Sequence, residues 1–152
     1  MNIRGVSFRV PQRREFLLQE ILDGADIQTL FWYNVENQNE VWSLPQYETF
    51  FEKERYDGLS FCELIKQPHF VVFLKLQAYL SEENYAGIHT YDEFLKSNCL
   101  LMVLIYDCEF VEIFCKDINI TNVLFDNARR KGFLEPELIT DGNDGRTKMD
   151  IL

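Results

Sequence analysis

The feature that most constrains this 152-residue chain is a pair of apolar segments, Cys99–Tyr106 and Glu109–Cys115, joined by a short polar turn. In the second segment, successive side chains alternate between two faces. This period of two, together with the short turn at Asp107 and Cys108, predicts an antiparallel hairpin of the two segments. The run His69–Leu80 is apolar and rich in β-forming residues, which predicts a central strand.

Four other segments carry helix signals. They are Arg13–Leu22, Ser60–Gln67, Thr90–Ser97 and Ile118–Lys131. Two of them begin with a capping box, in which a hydroxyl residue precedes a glutamate by three positions: Ser60–Glu63 and Thr90–Glu93. Asp117 is expected to cap the last helix, and Gly132 is expected to end it.

The remaining strand signals lie toward the two ends of the chain. They are Ile3–Val10, Thr29–Glu36, Glu40–Leu44 and Phe133–Thr140, with a further extended segment at Arg146–Leu152. The turn residues Asn37–Asn39 predict that the second and third of these strands form a hairpin. The stretch Pro45–Gly58 fits either a short helix or an ordered loop.

Strands and helices mix in this chain without strict β-α-β alternation. We therefore expect an α+β fold in a single domain over residues 1–152, with a mostly antiparallel sheet and helices packed on one face.

The charge of the chain restricts its partners. Its 25 acidic residues outnumber its 15 lysines and arginines, giving a formal charge of -10. Such a charge repels nucleic-acid phosphates and anionic membrane surfaces, so we expect neither as a partner. The longest apolar stretch, Leu100–Tyr106, is too short to span a bilayer, and no targeting signal is visible. A cytoplasmic location is the expectation.

No residue spacing in the sequence builds a known catalytic or metal site. Nucleophile elbows, phosphate-binding glycine loops and zinc-binding helices are absent, and the cysteines form no C-x-x-C pair. His69 and His89 have no nucleophile nearby in sequence, so we predict structural or surface roles for both. We expect no catalytic residue, metal or cofactor. A non-enzymatic role is favoured, although an active site assembled from distant positions stays open.

The register of the hairpin decides whether Cys99 and Cys115 face each other. With Asp107 and Cys108 as a two-residue loop, Cys99 opposes Lys116, and the thiols of Cys99 and Cys115 point to opposite faces. A loop one residue longer could bring them opposite each other. We predict reduced, buried thiols. The carboxylates that flank Cys108 should raise the pKa of its thiol.

An aromatic and acidic stretch between Phe31 and Phe61 is the first candidate for recognition. Its candidate partner-binding residues are Trp32, Trp42, Tyr47, Tyr56, Glu48 and Glu52. Tyrosine and tryptophan rimmed by charge are typical of protein interfaces. Core aromatics beside solvated acids are the alternative.

A polar loop near the end of the chain is the second candidate. It contains Asp141, Asn143, Asp144 and Arg146. The loop does not match a calcium-binding EF-hand. Counted from Asp141, a glycine falls at the fifth position instead of the sixth, and no glutamate stands at the twelfth. The loop is therefore either a glycine-assisted turn or a polar recognition loop.

Four short segments of the sequence resemble those of a known family. They are Phe73–Tyr79 (FLKLQAY), Thr90–Leu95 (TYDEFL), Ile139–Asp141 (ITD) and Asn143–Thr147 (NDGRT). Together they resemble a family of small acidic proteins of Bacillus-type bacteria that is classed as a domain of unknown function. The resemblance covers nearly the whole chain and is least distinct around 38–56. It implies a bacterial cytosolic source and transfers no activity.

Three functions follow from these observations. The favoured one is a non-enzymatic, acidic protein-binding module of the immunity or inhibitor type, which electrostatic attraction would steer to a basic protein. The second is a small-molecule-binding protein or an enzyme with a dispersed site, which a deep pocket would favour. The third is a homo-oligomeric structural or regulatory protein.

Overall fold

The computed structural model describes residues 2–11, 13–146 and 148–151. These residues form one eight-stranded sheet with four α-helices. The strands are β1 (Ile3–Arg9), β2 (Phe31–Ser43), β3 (Glu48–Thr49), β4 (Arg55–Tyr56), β5 (His69–Tyr79), β6 (Cys99–Tyr106), β7 (Phe110–Cys115) and β8 (Leu134–Thr140). The helices are α1 (Leu17–Ile21), α2 (Gly58–Ile65), α3 (Tyr91–Lys96) and α4 (Ile118–Arg130).

All pairs of neighbouring strands in this sheet are antiparallel. The order across the sheet is β3-β2-β5-β6-β7-β1-β8, and β4 also pairs with β2. The predicted α+β fold class is therefore confirmed. None of the helices in the described residues has the length and apolar content that crossing a membrane requires.

Both faces of the sheet are buried. Alternate residues of a strand point to opposite sides, so Val103 and Ile105 of β6 lie in one apolar cluster while Met102 and Leu104 lie in another. The first cluster is covered by three helices, through Leu18 of α1, Phe61 of α2 and Leu124 of α4. The second cluster is covered by Phe94 of α3 and by two irregular segments, 85–88 and 148–151.

The predicted hairpin of Thr29–Glu36 and Glu40–Leu44 is wrong, because both segments belong to the single strand β2. This strand pairs with β5 over Phe31–Asn34 and again over Asn39–Ser43. Between Asn34 and Asn39, β2 advances five residues while β5 advances two, so the extra residues bulge out, with Asn37 at a φ of 65°. Asparagine tolerates positive φ in bulges and in turns alike. We call residues 35–38 the β2 bulge.

The predicted helix Arg13–Leu22 is shorter than expected and occupies only Leu17–Ile21. Glu15, which precedes the helix, bonds to β5 instead of to its own helix. The His69 amide donates to the Glu15 carbonyl oxygen at 2.7 Å, and the Leu18 amide donates to Nε2 of His69 at 3.1 Å. A histidine distant in sequence thus supplies the cap of α1.

Helix α2 begins earlier than the predicted capping box at Ser60. Its N-cap is Asp57, whose carboxylate accepts the Ser60 amide at 2.8 Å. The first helical residue, Gly58, lies so close to Gln28 that a Cβ there would be 1.9 Å from the Gln28 carbonyl oxygen. The capping residues predicted for α3 and α4 are confirmed, because Thr90 accepts from Glu93 and Asp117 accepts from two amides of α4.

The hairpin of β6 and β7 forms, with a register one residue different from that of a two-residue loop. Tyr106 pairs with Phe110, and Leu101 pairs with Cys115. Cys99 and Cys115 lie in different apolar clusters, and both are free thiols. Both are also buried, as predicted.

Candidate functional site

The chain turns back after β2, and the returning arm, residues 44–57, runs beside β2 at one edge of the sheet. Trp42 pairs with Thr49 near one end of the arm, and Trp32 pairs with Tyr56 near the other. Four exposed glutamates lie on β2 and this arm: Glu36, Glu48, Glu52 and Glu54. We call the surface formed by these four residues the acidic edge.

The charges of the acidic edge form no ion pair with any residue that the structure describes. Residues 36–54 contain five glutamates and one lysine. Among the residues that the structure describes, no lysine, arginine or histidine nitrogen lies within 4.0 Å of the four carboxylates of the acidic edge. The fifth glutamate, Glu40, accepts a hydrogen bond from the Trp42 indole at 3.2 Å. This edge therefore presents free negative charge to solvent.

Of the predicted aromatic anchors, Tyr47 is the one most open to solvent, with 49% of its surface exposed. The Arg13 guanidinium lies 5.4 Å from the centre of its ring, and Arg13 also donates a hydrogen bond to its hydroxyl. Trp42 and Tyr56 are half-buried. The Tyr56 hydroxyl accepts the Lys53 amide at 3.0 Å, which ties it to the returning arm.

Trp32 does not belong to this surface, and the sequence interpretation was wrong for it. The side chain is fully buried and stacks on Phe61 of α2 with ring centres 4.2 Å apart. Its indole nitrogen donates to the Ile27 carbonyl oxygen at 3.1 Å. The alternation of β2 turns Trp32 toward the helices, which a pattern of aromatic and acidic residues alone does not indicate.

The second predicted site, the polar loop, uses its charges inside the protein. Arg4 of β1 donates to Asp141 at 2.8 Å and to Asp144 at 2.9 Å. The same guanidinium lies 4.1 Å from the centre of the Tyr91 ring, a cation–π contact. Because both carboxylates are paired with one arginine, the loop is anchored to the sheet.

The other two residues of the polar loop are engaged in the same way. Arg146 donates to Glu112 of β7 at 2.7 Å. Asn143 closes the turn, since its side-chain oxygen accepts the Thr140 amide at 2.7 Å and its nitrogen donates to Glu137 at 3.0 Å. The structure brings all four predicted loop residues together, but in contacts with the protein itself.

An ion pair between a buried lysine and a partly buried aspartate, which the sequence interpretation missed, holds the segment 148–151. Lys75 of β5 is 1% exposed, and its Nζ donates to Asp150 at 2.9 Å and to the Ile88 carbonyl oxygen. Asp150 also accepts from Gln38 at 3.0 Å and lies 3.0 Å from Nδ1 of His89. We call this group of contacts the Asp150 latch.

The environment of Asp150 favours its charged form. Burial acts to raise the pKa of its carboxyl group, but hydrogen bonds from Lys75, Gln38 and His89 outweigh burial and lower the pKa to about 2. The single signal in the sequence was a lone lysine inside the apolar run His69–Leu80. A buried charge needs a partner, but the run does not reveal which residue supplies it.

The two histidines have roles in packing and in the latch. His69 is buried, and its Nδ1 lies 2.7 Å from the Gln67 carbonyl oxygen while its Nε2 accepts from Leu18. Burial lowers the pKa of His69, so it is neutral at pH 7. His89 is mostly exposed and contacts Asp150. Within the described residues, no ring nitrogen of either histidine forms a hydrogen bond with a cysteine, serine or threonine.

The exposed thiol of Cys108 at the hairpin tip is poorly suited to nucleophilic chemistry. Desolvation, followed by the charges of Asp107, Glu40 and Glu109, raises its pKa. Within residues 2–11, 13–146 and 148–151, no group of three or more histidine, cysteine or acidic side chains is placed to hold a metal ion.

Two cavities lie at positions that could receive a ligand. The larger, of about 930 Å³, is a wide surface groove between β1, α3 and α4 that includes Arg4, Tyr91, Leu95, Lys116 and Ile118 in its lining. The smaller, of about 380 Å³, lies at the acidic edge between the β2 bulge and the returning arm.

Comparison with known proteins agrees with the resemblance seen in the sequence. Residues 3–150 match the family described as "Protein of unknown function (DUF2691)". The chain is 32% identical to the uncharacterized protein YncE of Bacillus subtilis (strain 168), over 97% of this chain and 99% of that relative. No solved structure matches. The predicted resemblance to a Bacillus-type domain of unknown function is confirmed.

Proposed function

This chain belongs to the DUF2691 family of proteins of unknown function, and we propose that it is a non-enzymatic module that captures a basic protein at its acidic edge. As part of the same proposal, the capture takes place in the cytoplasm, in an immunity-type or inhibitor-type role. The observation that carries the proposal is the set of four exposed glutamates without a cation partner in the described residues.

The distribution of charge supports this proposal more than the total charge does. A surface with an excess of one charge raises the rate of encounter with an oppositely charged protein, by roughly 10–10³-fold in the strongest cases, and the effect falls with salt. Tyr47 stands exposed beside Glu48, so an aromatic anchor lies within the charged surface. Aromatic side chains of this kind supply much of the binding energy at protein interfaces.

The test is affinity capture of the tagged protein from the lysate of its own cell, at low and at high salt, with mass spectrometry of the retained proteins. We expect one basic protein that is retained at low salt and weakened at high salt. The double variant Glu48→Gln, Glu52→Gln should reduce its retention by about tenfold or more, because each lost charge pair weakens both encounter and binding.

A matched control separates the acidic edge from the total charge. The double variant Glu63→Gln, Asp126→Asn removes the same charge from α2 and α4, away from the edge. It should leave the retained protein unchanged. Equal losses in the two double variants would contradict the proposal, since retention would then depend on net charge and not on this surface.

Small-molecule binding is a second candidate, and the groove of about 930 Å³ favours it. That volume lies within the roughly 300–1,000 Å³ range of ligand sites. Lys116 lies in the groove and Arg4 at its side, which suits an anionic ligand, although Asp92 and Asp141 also line it. A metabolite screen by thermal shift would support this function if hits were lost in the Lys116→Ala variant and not in the Glu48→Gln, Glu52→Gln variant.

A further inference from the structure

An open surface cavity lies between the β2 bulge and the returning arm. The cavity has a volume of about 380 Å³ and is lined by Asn34, Glu36, Asn37, Asn39, Phe51, Lys53 and Glu54. The bulge provides one wall, which includes Glu36 and Asn37. The arm provides the other wall, where the Asn34 amide donates to the Glu54 carbonyl oxygen at 2.9 Å.

Negative charge faces this cavity from both walls. Glu36 projects from the bulge and Glu54 from the arm, and neither forms an ion pair with the described residues. Tyr85 lies close to both: desolvation, followed by a hydrogen bond to Glu54 and the charges of Glu54 and Glu36, raises the pKa of its hydroxyl. The one cationic side chain in the lining is that of Lys53.

Asn34 adds an observation that is independent of the acidic side chains. It is 8% exposed and lines the cavity, and its Nδ2 donates to the Lys53 carbonyl oxygen at 3.4 Å. Its Oδ1 is buried and accepts no hydrogen bond from any residue that the structure describes. A buried acceptor without a donor is unfavourable and calls for an explanation. A ligand that brings an N–H donor to Asn34 would supply one.

The chemistry of these groups defines the ligand. One amide oxygen and two carboxylates on facing walls can accept several hydrogen bonds and carry charge opposite to a cation. A guanidinium presents five N–H donors in a planar fork, which suits carboxylates that lie on two sides of it. A metal ion fits less well, because the described residues provide no cluster of three acidic, histidine or cysteine ligands.

We propose that the cavity at the β2 bulge receives an arginine side chain, with Asn34, Glu36 and Glu54 as its acceptors. This inference rests on the proposed function and specifies which side chain of the basic partner is recognised. Lys53 competes with the incoming cation at the rim, so its removal should favour binding.

The probe is a short peptide, acetyl-Gly-Arg-Gly-amide, titrated into the isotope-labelled protein while the side-chain amide signal of Asn34 is followed by NMR. We expect a saturable shift of that signal. The same peptide with citrulline in place of arginine is the neutral control, and it should leave the signal unmoved. Glu36→Gln and Glu54→Gln should each weaken binding by about fivefold or more, as expected for loss of a charge-assisted hydrogen bond.

Two further variants make the result specific to the cavity. Glu63→Gln removes an exposed glutamate of α2 and should not change the affinity. Lys53→Gln should increase it. The proposal would be overturned if the citrulline peptide gave the same shift, if the arginine peptide left the Asn34 signal unmoved, or if calcium chloride moved that signal and abolished the peptide's effect.

The two proposals can fail separately. Capture of a basic protein that depends on Glu48 and Glu52 but is unchanged in Glu36→Gln and Glu54→Gln would leave the module in place and remove the arginine cavity. Binding of the arginine peptide at Asn34, with no basic protein retained from lysate, would support the cavity and contradict the proposed function.

Discussion

The acidic edge and the segment 141–151 are both rich in carboxylates, yet the protein uses them in opposite ways. In the segment, Asp141 and Asp144 pair with Arg4, and Asp150 pairs with the buried Lys75. At the edge, Glu48 and Glu52 have no such partner in the described residues. Composition alone made both regions candidates for recognition. The presence or absence of a cationic partner therefore distinguishes carboxylates that stabilise the fold from carboxylates that remain free for a binding partner.

The largest effect should come from the Asp150 latch. Asp150→Asn leaves the ammonium of Lys75 buried without its counter-charge, and breaking such a pair costs about 3–5 kcal/mol of unfolding free energy. Urea unfolding of the variant measures this loss. The control Asp126→Asn, on an exposed position of α4, should stay within about 0.5 kcal/mol of the wild type. A loss below about 1 kcal/mol in Asp150→Asn would mean that the latch does not stabilise the fold.

The pH dependence of the same variant tests whether the charged form of Asp150 stabilises the fold. The pKa of Asp150 falls from its ordinary value of 3.8 to about 2, so its stabilisation is complete above 3.8 and is lost as the pH falls toward 2. The difference between wild type and Asp150→Asn should therefore be constant near neutral pH and shrink below pH 3.8. Urea titrations at several pH values test this. A difference that grew on acidification would contradict the assignment.

An intermediate effect is expected at the polar loop. Arg4→Gln removes the ion pairs with Asp141 and with the nearly buried Asp144. It also removes the cation–π contact with Tyr91. We expect a loss of about 1.5–3 kcal/mol in unfolding free energy, since hydrogen bonds to charged groups are worth about that much. Lys66→Gln, which breaks an exposed pair with Glu63, is the control and should cost less than about 0.5 kcal/mol.

The smallest effect on stability should come from the acidic edge. Glu48→Gln, Glu52→Gln removes charges with no partner in the described residues, so the unfolding free energy should stay within about 0.5 kcal/mol of the wild type. Relief of like-charge repulsion should make any change a gain, largest at low salt. A loss of unfolding free energy above about 1 kcal/mol would contradict this distinction, because the acidic edge would then stabilise the fold as the segment 141–151 does.

The part of the fold that the sequence predicts correctly is the part decided by local patterns. Strands β5, β6 and β7 follow from apolar runs and alternation, and the caps at Thr90 and Asp117 follow from residues that bond within one turn. The single strand β2 could not be predicted, because Asn37–Asn39 suit a reversal as well as a bulge. Pairing with β5 decides between them, and pairing is a property of distant residues.

The candidate site divides in the same way. The acidic edge follows from composition, since its four glutamates lie within residues 36–54 and remain exposed. The burial of Trp32 depends on which face of β2 meets the helices. The Asp150 latch joins Lys75 to a residue 75 positions away, so no window of the sequence contains both partners. The unsatisfied oxygen of Asn34 becomes visible only once its neighbours are placed.

The β2 bulge also connects two regions that are otherwise separate. Gln38 donates to Asp150 and accepts the Ile151 amide, whereas its neighbours Glu36 and Asn37 line the cavity at the acidic edge. One short piece of backbone thus fixes the last described residues on one side and shapes a binding cavity on the other. If ligand binding changes the docking of residues 148–151 through the bulge, thermodynamic reciprocity requires that undocking these residues change the ligand affinity by the same factor. The two ends of this coupling would be read out by hydrogen exchange at Ile151 and by titration at Asn34.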